Sequence, residues 1–388
     1  MIQVMVLHDL KEATNAYHQL AIEGTDVSKP RVTAGKKFGN DDEYDYWDHV
    51  EWVIDEAQKR GLYIALVPVW GSNVKDGLVN SSQARTYAEF LAGRFKNKPN
   101  IIWLNGGDIL GNLHPEVWQT IGATLREKDP HHLIGYHPRG RHSSSEWFHN
   151  ESWLDFNMFQ SGHRNYAQDN LPDEKFHYGE DNWKYAVTDY QLEPVKPFLD
   201  GEPSYENIPQ GLHDPKQPRW KDHDVRRYAY WSVFAGAAGF TYGENSVMQF
   251  YKMGQPMPAY GAEIDWRESI NSPGANQMQF IKQLILSKPY FDRTPANDLV
   301  ADQGEHYEYI AATKGQTYAF FYTYTGRQFK VHMGRLPNKL LKSFWYNARN
   351  GESMANGEIE NIGVKSFNPP GEEKDGNDWV LILENSKR

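Results

Sequence analysis

What most restricts this chain is a repeated alternation of short apolar runs with segments of helical periodicity, sustained from residue 2 to about residue 288. Parallel strands cannot be joined by a tight turn, so such alternation demands a parallel sheet with crossover helices. Seven runs are visible: 2–7, 63–70 (YIALVPVW), 101–108 (IIWLNGGD), 133–138 (LIGYHP), 154–163 (LDFNMFQSGH), 196–203 (KPFLDGEP) and 239–245 (GFTYGEN). The second is apolar throughout, as a strand buried on both faces must be.

The intervening segments carry helix signals. YDYWDHVEWVIDEAQKRG places Trp47, Val50, Ile54 and Ala57 on one face, with Gly61 where a C′ glycine belongs. Pro115 stands at the first position of a helix striped by Val117, Trp118, Ile121 and Leu125. Further helices are expected near 84–95, 183–193, 224–237 and 275–288.

The expected fold class is α/β, a (β/α)8 TIM-barrel-like domain over 1–292. A TIM barrel has eight units, so seven visible units leave one missing. It is most simply the first, because MIQVMVLHDL opens directly on a strand. That opening also lacks the basic start and long apolar region of a signal peptide.

From about Arg293 the period changes. HYEYIAAT, TYAFFYTYT, QFKVHM, LLKSFWYN, GVKSFN and DWVLILE read as short strands. Lys314-Gly315, Asn350-Gly351 and Asn356-Gly357 stand as turn signals between them. An antiparallel β-sandwich over 293–388 is expected.

Composition excludes several functions. With a net charge of −10, interspersed signs and no long basic run, nucleic acid and anionic membrane surfaces are poor partners. No apolar run approaches the roughly 20 residues of a spanning helix. The absence of cysteine removes disulfides, Cys-ligated zinc and a thiolate nucleophile. The 13 Trp, 23 Tyr and 18 Phe fit a large core, and they also fit a site that stacks rings on a sugar.

Barrel chemistry lies at the C-terminal strand ends. There the chain places His8 and Asp9, Trp70, Asn105 and Asp108, His137 and Arg139, Gln160 and His163, Glu202, Tyr242, Glu244 and Asn245. The 137–157 loop adds Ser143, Ser144, Glu146 and Trp147. Two carboxylates stand out. Asp108 follows Gly-Gly, which permits a tight turn, and Glu202 precedes Pro203, which favours an extended backbone. Glycoside hydrolysis uses two flanking carboxyl groups, about 5–5.5 Å apart in retaining enzymes. Each residue also has a plainer reading. Asp108 could be a turn or cap residue and Glu202 a solvated loop residue. Glu244, the weaker third acid, leans structural or substrate-binding, and His8 and Asp9 could bond each other or backbone groups. The 137–157 loop could simply pack itself down. No HExxH, nucleophile elbow, P-loop or dinucleotide fingerprint is present, so no metal or organic cofactor is expected.

Taken together, LNGGD, HPRGRHSSSEWFH, FQSGH, KPFLDGEPSYE and DVRRYAYWSVFAGAAGFTYGENSV resemble one family, the apiosidase-like glycoside hydrolases, glycoside hydrolase family 140. The similarity runs from Ile2 to the terminal DWVLIL. It implies a TIM-like catalytic domain followed by a β-sandwich of the collagen-binding type. It implies Asp108 as general acid/base and Glu202 as nucleophile. It further implies release of apiose-linked sugars from the pectin rhamnogalacturonan-II, and a periplasmic or secreted full-length form with a strand and helix upstream of IQVMVLH. The expected activity is a retaining glycoside hydrolase acting on pectic oligo- or polysaccharide. Tyr242 and the histidines would orient hydroxyls, and Trp70 and Trp147 would form stacking walls. The alternatives are a non-catalytic carbohydrate-binding protein and, behind it, a metal-dependent barrel hydrolase.

Overall fold

The computed structural model describes residues 1–172 and 174–385. It divides into two compact units, one of residues 1–160 with 193–197, the other of residues 161–192 with 198 onward.

In the first unit, Ile2–Met5, Ile64–Val67, Ile101–Ile109 and Ile134–Pro138 form a four-stranded sheet in that order. Every neighbouring pair is parallel. Ile64–Val67 is buried along its whole length, which is why YIALVPVW shows no alternation. The crossover helices cover the sheet. Tyr46–Lys59 starts on Asp45, whose side chain accepts the Trp47 and Asp48 amides while Asp48 answers in a capping box. It stops at Gly61, whose φ of 68° an L side chain resists. Trp47, Ile54, Tyr87, Leu91, Trp103, Trp118, Ile121 and Leu125 meet in one core, so the expected helix faces are the buried ones.

The second unit contains the parallel pair Phe198–Asp200 and Gly239–Phe240. Its longer helices are Trp183–Tyr190 before the pair, Asp222–Phe234 between the two strands and Pro273–Leu286 after them. Each of the seven expected runs therefore contains a strand.

The C-terminal region of this unit is a six-stranded sheet. Its order is Thr294–Pro295, Ile310–Lys314, Tyr318–Thr323, Trp379–Asn385, Leu340–Asn347 and Ser353–Glu360. All of its pairings are antiparallel. Phe329–His332 and Val364–Phe367 form a separate antiparallel ribbon. The expected alternation of buried and solvated faces is absent from the central strands, since Tyr318–Thr323 is buried at every residue. Tyr318, Phe320, Tyr322, Val380 and Ile382 pack on Trp231, Phe234, Ile281 and Leu284 of the helices. Ala319, Phe321, Leu381 and Leu383 on the other face pack on Phe329, Val331 and Phe367 of the ribbon.

Two buried arginines join helix Asp222–Phe234 to what surrounds it. Arg226 makes a two-pronged bond to Asp378, 2.8 Å at each prong. Arg227 bonds Glu180 at 2.5 Å and lies 4.7–5.0 Å from the ring centres of Tyr228, Trp231, Tyr307 and Tyr324. Asn356-Gly357 proves not to be a turn. It lies inside Ser353–Glu360, where the register with Leu340–Asn347 slips between Ser343 and Phe344, and Gly357 supplies the left-handed residue of a bulge with φ 90°.

Candidate active site

Asp108 occupies a bulge rather than the end of a strand. The register runs Gly106↔His137 and then resumes at Ile109↔Pro138, leaving Gly107-Asp108 unmatched. The two glycines are required by space as well as by conformation. A Cβ on Gly106 would meet the His137 carbonyl at 2.6 Å, and one on Gly107 would meet the Trp70 ring at 2.7 Å. The bulge turns Asp108 outward into the left-handed region, φ 49°, a conformation a non-glycine residue adopts at some cost. Its amide lies 3.2 Å from His137 Nδ1, which also stands 3.0 Å from the Pro138 carbonyl. Its Oδ1 accepts the Gly140 amide at 3.2 Å. The side chain is exposed, whereas His137 is buried with its ring 5.5 Å edge-on to Trp70. Trp70 in turn lies 6.3 Å from His8. Asp108, His137, Trp70 and His8 thus form one neighbourhood at the strand ends of the first unit.

Glu202 sits two residues beyond strand Phe198–Asp200 in the second unit. His163 Nε2 lies 3.0 Å from Glu202 Oε1, with the His163 ring edge-on to Tyr205 at 4.8 Å. The Gly162 amide donates to the Glu202 carbonyl at 3.0 Å, and Ser204 Oγ donates to the Gly162 carbonyl at 2.9 Å. Trp220 Nε1 donates to the His163 carbonyl at 3.2 Å. The Glu202 side chain keeps only 16% of its surface exposed.

Several residues expected to face substrate serve the fold instead. Asn105 is fully buried, its Nδ2 donating to the Trp118 carbonyl at 2.8 Å and its Oδ1 accepting the Gly106 amide at 3.0 Å. Asn105 lies before the bulge, and its side chain reaches helix Pro115–Lys128. Asp9 caps the short helix Leu10–Glu12 by accepting the Lys11 amide at 2.8 Å, the backbone-bonding reading of this residue. Glu244 is buried and caps Asn245–Met248, accepting the Val247 amide at 2.8 Å and Asn207 Nδ2 at 3.1 Å. Asn245 donates to the carbonyls of Asn207 and Tyr260.

In the 137–157 loop, Ser144 exchanges hydrogen bonds with the Met158 backbone, and Glu146 accepts the Ser143 amide beside His142. Trp147 is half-buried against Gly111 and 5.4 Å from His142. Gln160 is buried, and its carbonyl accepts the Arg141 amide at 2.6 Å. Arg139 is half-buried and donates its amide to the Ile109 carbonyl at 3.0 Å.

Tyr242 directs its hydroxyl to Glu206 Oε2 at 2.6 Å. Glu206 is a buried acid outside the candidate set. Burial pushes its pKa up, against the Tyr242 hydroxyl and the Gly274 amide, which hold it down. Asp200 lies outside that set as well. It is wholly buried, and desolvation lifts its pKa to about 6 in spite of donors on Ser161, Asn182 and Ser232.

Among the described residues, one group of three has the spacing to hold a metal ion: Asp169, Glu174 and His177. None of them is a candidate above, and Arg164 already pairs with Glu174 at 2.7 Å. A largely apolar cavity of about 150 Å³ between Ile2–Met5 and helix Tyr46–Lys59 is likewise lined by no candidate residue.

The sequence model of the family described as "Apiosidase-like, catalytic domain" matches residues 1–292. The chain belongs to the apiosidase-like family. It is a glycoside hydrolase, in accord with two solved structures that match it almost throughout. One, described as "Glycoside hydrolase", is 43% identical with a TM-score of 0.91, over 100% of this chain and 86% of that one. The other, a glycoside hydrolase family 5 protein from Bacteroides vulgatus ATCC 8482, is 40% identical with a TM-score of 0.90, over 99% of this chain and 82% of that one. Residues 294–384 of this apiosidase-like chain match a second family, "Putative collagen-binding domain of a collagenase". No functionally curated protein matches the chain. Among the described residues, no helix is long and apolar enough to cross a membrane.

Proposed function

We propose that this apiosidase-like protein is a retaining glycoside hydrolase that cleaves pectic oligo- or polysaccharide, with apiose-linked sugars as the leading substrate class. Glu202 attacks the anomeric carbon and forms a glycosyl-enzyme. Asp108 protonates the departing oxygen and then deprotonates the incoming water. The observation that carries this reading is the setting of Glu202. One carboxylate oxygen is tethered by His163 at 3.0 Å and the main chain is clamped by Gly162, so the group is oriented yet still partly open.

Asp108 supplies the complementary acid because its backbone is fixed while its carboxyl reaches outward. Trp70, His137 and His8 beside it offer a ring wall and hydrogen-bonding groups for a sugar. Tyr242, Glu244, Asn105 and Asp9 are left out of the substrate-binding set. The seven strands are proposed to belong to a TIM-type barrel over 1–292, braced by the sheet over 293–388. Membership of family 140 rests on motif resemblance, whereas one solved relative carries a family 5 name.

The test is the stereochemistry of the first-formed product on an active pectic substrate, followed by proton NMR. Retention is expected. Inversion would remove the nucleophile role of Glu202. A second arm adds a chelator, and loss of turnover there would favour a metal-dependent hydrolase instead.

A further inference from the structure

We propose that Asp200 is a positioning residue for Glu202, acting through the segment 161–163 that holds Glu202 from two sides. This rests on the reading of Glu202 as nucleophile. Asp200 ends strand Phe198–Asp200, and no part of it is exposed. Its carboxylate receives Ser161 Oγ at 2.7 Å, the Ser161 amide at 3.4 Å, Asn182 Nδ2 at 3.1 Å and Ser232 Oγ at 3.4 Å. Every partner is a neutral donor, and no Arg, Lys or His side chain bonds it among the described residues. Tyr228 and Ser232 of the helix behind it reach Asn182 through a carbonyl and a hydroxyl, so they bring no charge either.

A buried carboxylate without a cation is costly to keep. This one gathers three segments at a single point, two residues from Glu202. Ser161 is pinned by it. The next residue, Gly162, has φ 81° and clamps the Glu202 carbonyl through its amide. The residue after that, His163, bonds the Glu202 carboxylate. Anchor, main-chain clamp and ring clamp are therefore consecutive, and any shift of Ser161 is passed directly to the nucleophile.

The donors all suit the ionised acid. Burial holds Asp200 near 6, so it is charged at neutral pH and takes up a proton as the pH falls through that value. Protonation puts a hydrogen where a donor already points, which loosens the anchor on Ser161.

The experiment uses the full chain with Asp200→Asn and, separately, Ser161→Ala, on a pectic oligosaccharide that the wild type hydrolyses. Expected is a fall in kcat on the order of 10–100-fold with KM within about twofold, as for a small misplacement of a reacting group. In Asp200→Asn, the acid limb of kcat/KM near pH 6 should also disappear. Wild-type kcat and an unchanged pH profile would overturn the proposal. If Asp200→Asn does not fold, Ser161→Ala decides by the same kcat criterion. Glu202→Ala is run in parallel with added azide, a small anion that can occupy the place of the missing carboxylate. Full turnover in Glu202→Ala removes the nucleophile reading, and this inference with it. An inactive, azide-rescued Glu202→Ala beside a wild-type-like Asp200→Asn removes this inference alone.

Discussion

Asp108 lies in a bulge within one parallel strand and Glu202 two residues beyond another, and the chain holds them by different means. Asp108 is exposed, and its orientation comes from the main chain: two glycines at φ 88° and 123°, its own φ of 49°, and amide contacts to His137 and Gly140. Glu202 is mostly covered, and it is held by the His163 ring and the Gly162 amide, with buried Asp200 bonding Ser161 next to them. A backbone-held acid is sensitive to any added volume and keeps a solvated carboxyl. A network-held one tolerates its backbone but depends on the protonation of groups behind it.

That contrast can be broken most forcefully by removing the carboxylates. Asp108→Ala should lower turnover by about 10²–10⁴-fold, the range for a lost general acid. Glu202→Ala should lose on the order of 10⁴-fold or more, as nucleophile deletions do. Steady-state kinetics checks both, and wild-type rates in both would end the assignment.

Next in size is Gly107→Ala. A side chain at φ 123° that overlaps the Trp70 ring should destabilise the fold by about 2–5 kcal/mol, measured by denaturant unfolding. His163→Ala should do the reverse, costing kcat by roughly 10–100-fold while the melting temperature stays close to wild type. If the two variants exchanged phenotypes, the distinction between backbone and network would fail.

A third test uses pH. The folded pKa of Asp200 is raised to about 6 from 3.8, so the protonated form favours the native state. Its contribution to stability is full below the unfolded value and is lost as pH rises through the folded one. The shift corresponds to about 3 kcal/mol lost between roughly pH 4 and 6. Asp200→Asn should lack that component in unfolding free energy measured against pH. The smallest effect is expected for Glu244→Ala. Loss of a helix cap should cost about 1 kcal/mol and leave kcat unchanged, whereas a large kcat loss would return Glu244 to the site.

Periodicity explains what was legible beforehand. LLKSFWYN emerges as the strand Leu340–Asn347 residue for residue, and the helix beginning at Pro115 buries its expected stripe. Both are local patterns reinforced by burial. The strand Ser353–Glu360 was not anticipated because it is exposed at nearly every position, so no face imprints an alternation on ESMANGEIE. The bulge at Gly107-Asp108 depends on which residue of Ile134–Pro138 stands opposite, and no local pattern encodes that register. The same register sets the burial of Asn105. Asp200 escaped notice because its partners at 161, 182 and 232 are scattered along the sequence.

The C-terminal sheet has a consequence for how the protein is made. Its last strand, Trp379–Asn385, is not an edge but lies between Tyr318–Thr323 and Leu340–Asn347. Arg226, on a helix emerging far earlier, waits for Asp378 across 152 residues of chain. During synthesis from the N-terminus, helix Asp222–Phe234 must exist with a buried-to-be guanidinium unpaired and its aromatic face uncovered until the final strand is released. Long-range closure of this kind is slow and leaves apolar surface open in the interval. The nascent second unit is therefore expected to complete itself only once that strand has emerged, in one late step.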